Sequence, residues 1–163
     1  MVISKKRMRM YGLSIRTNRS YRFDLAGSGR WTQKRFCENV CSENTLIAIE
    51  KGKAGRYDDF YEAFAKKLEM RIVDEPKIDR KMDTYTKRIY DAVEYYELDK
   101  IKRYTNKSAE ILEPYKDCLW YGDLYAAVCA LRDYYTKQKM VSKEDRILLS
   151  KMIGEFSKQW DDM

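Results

Sequence analysis

An all-α fold is what this sequence predicts, and three observations carry the prediction. Two prolines and seven glycines in 163 residues leave few backbone breakers, and a 36% charged content suits exposed helical faces. Apolar residues recur three and four positions apart over most of the chain, the spacing of one helix face. Two hydroxyl residues, Thr32 and Ser42, stand directly before such stretches, where a side-chain oxygen can accept an unpaired first-turn N–H. The 44% hydrophobic content, which includes 14 tyrosines, argues against a disordered chain.

Residues 1–11, M-V-I-S-K-K-R-M-R-M-Y, are basic and weakly patterned, and they read as an arm able to lie along phosphates. A first helix is expected over 13–26. Arg16, Arg19 and Arg22 share one of its faces, and Ile15, Tyr21, Phe23 and Leu25 give apolar support. Gly27-Ser28-Gly29 breaks it. Thr32 caps a second helix carrying Phe36, Cys37 and Val40. After a tight turn near Cys41, Ser42 caps a third with Leu46, Ile47 and Ile49, which Gly52 stops. Each of these two should run two to three turns. Tyr57, Phe60, Phe64 and Leu68 mark a fourth helix, with Phe60, Ala63 and Phe64 closing a small core.

The polar, proline-containing stretch 74–77 is the expected boundary between a first domain, 12–73, and a second, 78–163. The second domain reads as helices over 79–96, 98–113 and 117–138. A last helix, capped by Ser142, carries Ile147, Leu148, Met152, Ile153, Phe156 and Trp160. Four helices with short connections make two antiparallel hairpins of the size of tetratricopeptide units. The Trp-Leu-Gly-Tyr pattern of that repeat is not present. Aromatic residues concentrate here, among them Tyr95, Tyr96, Tyr134 and Tyr135. They fill the hairpin core, and any surplus serves an interface.

Charge is concentrated at one end. Residues 1–56 hold 13 Lys/Arg against 4 Asp/Glu, a net +9, whereas residues 57–163 hold 20 against 22. A field of that sign attracts polyphosphate and releases counterions on binding, which makes nucleic acid the expected partner. A membrane partner is not expected, because no cationic amphipathic helix with Trp/Leu anchors accompanies the charge.

Cysteines stand at 37, 41, 118 and 129 with no C-x-x-C pair, and there is no histidine. No metal site and no cofactor are expected. Cys37, Cys118 and Cys129 read as buried thiols in a reducing compartment. No signal peptide and no 18-residue apolar run appears, so a cytoplasmic location is the expectation. Without histidine, a P-loop or a G-x-G-x-x-G, nothing in the sequence proposes catalysis.

Residues 32–53 carry a further signal. Thr32-Gln33, the small Cys37 four places on, Leu46 with Ile49, and Glu50-Lys51-Gly52 together resemble the helix-turn-helix of the Cro/phage-repressor (xenobiotic-response-element) family. V-C-S-E-N-T-L at 40–46 is similar to the turn of Rgg/PlcR-type transcriptional regulators. The resemblance implies a lambda-repressor-like DNA-binding domain followed by tetratricopeptide-like hairpins that dimerise and take a peptide or protein effector.

The resemblance also implies that helix 42–51 enters the major groove of double-stranded DNA. Asn44 then suits adenine, Glu43 cytosine N4 and the Thr45 methyl thymine, while Ala48 allows close approach. Thr32, Gln33, Lys34, Arg35, Lys51 and Lys53 are assigned to phosphates, and Glu50 to holding the domain together. The alternative is a helical adaptor or antitoxin-like module in which the two helices only pack.

Overall fold

The computed structural model describes residues 4–21, 31–53 and 58–137. The expected break at 27–29, Arg22, Phe23, Leu25, Tyr57 and the expected helix from Ser142 lie outside them. Among the described residues the fold is all-α, with seven α-helices, one 3₁₀ turn and no strand. The chain divides into two compact units. The first is Met1–Val73 with Asp117–Trp120, and the second is Asp74–Lys116 with Tyr121–Met163.

In the first unit, α1 spans Lys5–Tyr21. The stretch expected as a free arm is therefore helical from Lys5. Ser4 starts it, because its hydroxyl accepts the Arg7 N–H at 3.2 Å. Met10 and Tyr11 are buried, so the helix is anchored before residue 13. Gly12 lies where α1 meets the end of α3 (Glu43–Glu50), and a Cβ there would press into the Ile49 carbonyl. Gly12→Ala would gain about 1 kcal/mol in helix propensity. It would lose more by prying the two helices apart, and a net destabilisation of about 1–3 kcal/mol is expected from urea unfolding. A more stable variant would refute this packing.

Helix α2 is a single turn, Gln33–Phe36, shorter than the spacing of Phe36, Cys37 and Val40 suggests. Two features stop it. Asn39 takes a left-handed φ of 62°, which asparagine tolerates better than most residues. Lys67, from the end of α4 (Asp58–Lys67), donates to the carbonyls of Phe36 and Glu38, each at 2.7 Å. Those carbonyls are the acceptors a continuing helix would have used. Helix α3 ends on Gly52, at φ 71°, with the Lys53 N–H closing back on the Ala48 carbonyl at 3.1 Å.

Tyr11, Ile15, Phe36, Leu46, Ile49 and Phe64 lie at the centre of the first unit's core. Phe36 and Phe64 stack at 4.8 Å between ring centroids, and Tyr11 meets Tyr61 at 5.6 Å. The buried face of α4 is Tyr61, Phe64 and Ala65. Phe60 and Ala63, expected to close the core, are only half-buried.

Residues 117–120 are the largest departure from expectation. They read as helix, yet they form turns around Cys118, which makes an isolated parallel bridge with Arg71. The Arg71 N–H donates to the Asp117 carbonyl, and the Leu119 N–H to the Arg71 carbonyl, both at 2.9 Å. The Arg71 guanidinium also grips the Asp117 carboxylate through two bonds of 2.7 and 2.6 Å, which hold that carboxyl down at about 2. Leu119 is fully buried in the first unit's core. The Trp120 N–H donates to the buried Ser14 hydroxyl at 2.9 Å.

In the second unit α5 is Pro76–Glu94, with proline at its first turn where no N–H is missed. Residues 95–97 join it to α6, Leu98–Leu112. The ring contact between Tyr85 and Tyr104 places α6 running back along α5. A 3₁₀ turn, Glu113–Tyr115, follows, and α7 starts only at Tyr121, ending at Lys137. Helix α6 packs on both neighbours, and Ile101, Ala109 and Leu112 of α6, Met82 and Ile89 of α5, and Leu124 and Val128 of α7 are all buried. The Tyr121 hydroxyl donates to Asp79 at 2.8 Å, tying the start of α7 to that of α5.

Candidate nucleic-acid interface

The site is built on α2 and α3. Thr32 accepts the Arg35 N–H and Ser42 the Thr45 N–H, each at 3.2 Å, so both hydroxyl caps form where the local sequence places them. Glu43 in the first turn of α3 also complements the positive end of its dipole.

What fixes α3 against α1 is a polar network that is almost dry. Arg19 of α1 pairs bidentately with Glu50 at the end of α3, and the two are 8% and 7% exposed. The remaining lone pairs of the carboxylate are served by the Gln33 amide, which donates at 3.0 Å. A third guanidinium N–H of Arg19 reaches the Trp31 carbonyl at 3.1 Å. Three helices thus share one carboxylate. An ion pair this buried is stable only with its donors and acceptors satisfied, and here they are.

Gln33 was assigned to phosphate; its amide N–H₂ serves Glu50 and ties α2 to α3. Glu50 holds the domain together, as expected. The guanidinium of Arg35, another assigned phosphate ligand, stands over the Trp31 ring at 4.8 Å.

The other assigned residues divide by exposure. Glu43 and Asn44 are exposed on the first turn of α3, whereas Thr45 and Ala48 are half-buried. The Thr45 hydroxyl lies 2.9 Å from that of Ser42, which holds it close to the helix end. Thr32, Lys34, Lys51 and Lys53 are exposed.

A cleft of about 420 Å³ lies beside the ion pair. Gln33, Ile47 and Lys51 line it together with Arg16, Arg19, Ser20 and Glu50. The fold therefore brings Gln33 and Lys51 to one place, and leaves Thr32, Lys34, Arg35 and Lys53 out of it. Arg16 is the addition. It is exposed in this cleft, whereas Arg19, one turn along, is committed to Glu50. The i, i+3 spacing of the two arginines was visible in the sequence; which of them is free for a ligand was not.

The thiols offer no reactive centre. Cys37 is buried, and burial, with Cys37 beside it, pushes the Cys41 thiol up, so it stays protonated at neutral pH. Cys118 is buried as expected, while Cys129 is only half-buried. Among the described residues there is no cluster able to hold a metal ion, and no helix is long and apolar enough to cross a membrane.

No protein-family model matches this chain, and no curated protein or solved structure shows significant similarity to it.

Proposed function

We propose that this protein is a sequence-specific regulator of transcription that binds double-stranded DNA through a helix-turn-helix formed by α2 and α3. One observation carries the reading. Helix α3 is braced at its C-terminal end by the Arg19–Glu50–Gln33 network, while its N-terminal turn offers Glu43 and Asn44 to solvent. A rigid helix that presents polar residues from its first turn suits insertion into a major groove. Asn44 pairs with an adenine edge and Glu43 accepts from cytosine N4. Arg16, Lys34, Lys51 and Lys53 neutralise phosphates, and Thr32, whose oxygen caps α2, still has a hydroxyl proton to donate. The net +9 of residues 1–56 supplies the long-range attraction.

A single unit of this size reads few base pairs, so two copies one helical turn apart supply useful affinity. In this reading the second unit provides the dimer contact and the surface for an effector. Light scattering on the full chain should give twice the monomer mass.

Binding should weaken with salt, with a log–log slope of roughly −4 to −8 for a dimer. Asn44→Ala should cost about 1–3 kcal/mol on the cognate duplex and little on a scrambled one. Lys53→Ala should weaken both alike, since phosphates carry no sequence. A salt-independent affinity sinks the proposal, and parallel losses for Asn44→Ala remove that residue from base reading.

A further inference from the structure

The second unit holds a groove of about 700 Å³ between α5 and α6, in the size range of small-molecule sites. Tyr85 and Arg88 line it from α5, and Arg103, Tyr104, Asn106, Lys107 and Glu110 from α6. No aliphatic side chain contributes to the lining, which makes it a poor match for an acyl chain or the apolar face of a partner helix.

Its cations are arranged unusually. The Arg88 guanidinium lies 5.6 Å from the Tyr85 ring centroid and 5.8 Å from that of Tyr104. Arg103 lies 5.0 Å over the same Tyr104 ring and donates to its hydroxyl at 3.2 Å. Among the described residues neither guanidinium meets a carboxylate, and Glu110 is taken by Lys107 at 3.6 Å. Stacking on a ring fixes a guanidinium while leaving N–H edges for a tetrahedral oxyanion, which it can grip in bidentate fashion. Two such forks on one tyrosine favour phosphate over a lone carboxylate.

The aromatic layer selects the rest of the ligand. Tyrosine rings and guanidinium planes stack readily on flat heteroaromatic bases, and the Asn106 amide, whose Oδ1 accepts from Arg132 at 3.3 Å, has its N–H₂ to donate at a base edge. A polymer is the poorer fit. Helices α5 and α6 carry nine Lys/Arg against six Asp/Glu, so no continuous basic track leads away from the groove.

We propose that this groove binds a nucleoside phosphate, its phosphates held by Arg88 and Arg103 and its base laid against the tyrosine–arginine layer.

Calorimetry on the full chain tests this with ATP and GTP, using tripolyphosphate and adenosine as the two halves of the ligand. At least one nucleotide should bind, with each half about ten-fold weaker or worse. Arg88→Ala combined with Arg103→Ala should weaken nucleotide binding at least about ten-fold, while the lysine pair Arg88→Lys/Arg103→Lys should retain part of it. Lys87→Ala, exposed and outside the lining, should change nothing. Unchanged melting and unchanged DNA affinity in these variants separate this site from the α3 interface. Absence of binding, tripolyphosphate binding as tightly as the nucleotide, or an unaffected double alanine variant would overturn the assignment.

Discussion

Glu50→Ala is expected to destabilise the first unit by about 3–5 kcal/mol, the scale of breaking a buried ion pair from one side. The carboxylate receives two bonds from Arg19 and one from Gln33, and it is almost fully buried. Alanine would leave the Arg19 guanidinium in the same dry setting with only the Trp31 carbonyl. Glu50→Gln, which keeps the shape but not the charge, should lie between the two. Replacing both partners by apolar residues, Arg19→Met with Glu50→Leu, should recover much of the loss, because no charge is then stranded. Urea unfolding followed by tryptophan fluorescence suits the measurement, since Trp31 and Trp120 both belong to the first unit. A single-variant loss under about 1 kcal/mol would be the behaviour of a solvated pair, and the bracing of α3 would then need another source.

Leu119→Ala should cost about 2–5 kcal/mol in the same assay, the range for a buried leucine cut back to its Cβ. Leu119 is fully buried among residues of the first unit, although it is distant from them in sequence. Its backbone N–H is engaged with Arg71, so the site is held open by the bridge and cannot easily collapse around the missing atoms. Leu98→Ala is the comparison. Leu98 is 45% exposed, and its truncation should shift the midpoint little. Equal effects from the two would remove Leu119 from the core.

How far the fold could be read from the sequence depended on how local each cause was. Thr32, Ser42 and Gly52 were legible as caps because a cap acts within three or four residues of itself. Helices α5, α6 and α7 were legible for a similar reason, through their 3.6-residue period. Lys5–Tyr21 was hidden by its basic composition. Six cations there mask a face on which Arg7 and Arg19 are themselves buried, and the acceptors that allow Arg19 to be buried come from distant residues. The buried face of α4 was read correctly at Phe64 but not at its flanks, since Phe60 and Tyr61 are equally good core candidates until the rings opposite are known. The end of α2 was illegible because Lys67, more than 25 residues on, takes up its carbonyls. At the interface, the candidate base-contacting positions could be named, but the division of labour between Arg16 and Arg19, and the use of Gln33, follow from contacts with Glu50.

The Asp117–Trp120 segment sets an order of events during synthesis. A chain leaves the ribosome N-terminus first, and an N-terminal unit ordinarily completes its fold before the next one is made. Here residues up to Val73 emerge without Leu119, so the first core stays one side chain short while Asp74–Lys116 is translated. The intervening stretch is not a slack tether. Helices α5 and α6 form a hairpin from neighbouring sequence, and Tyr121 bonds back to Asp79, which shortens the effective loop and lowers the entropy of closing it. The first unit therefore cannot complete its core until the α5–α6 hairpin has been made, and α7, made after Leu119, completes the second unit.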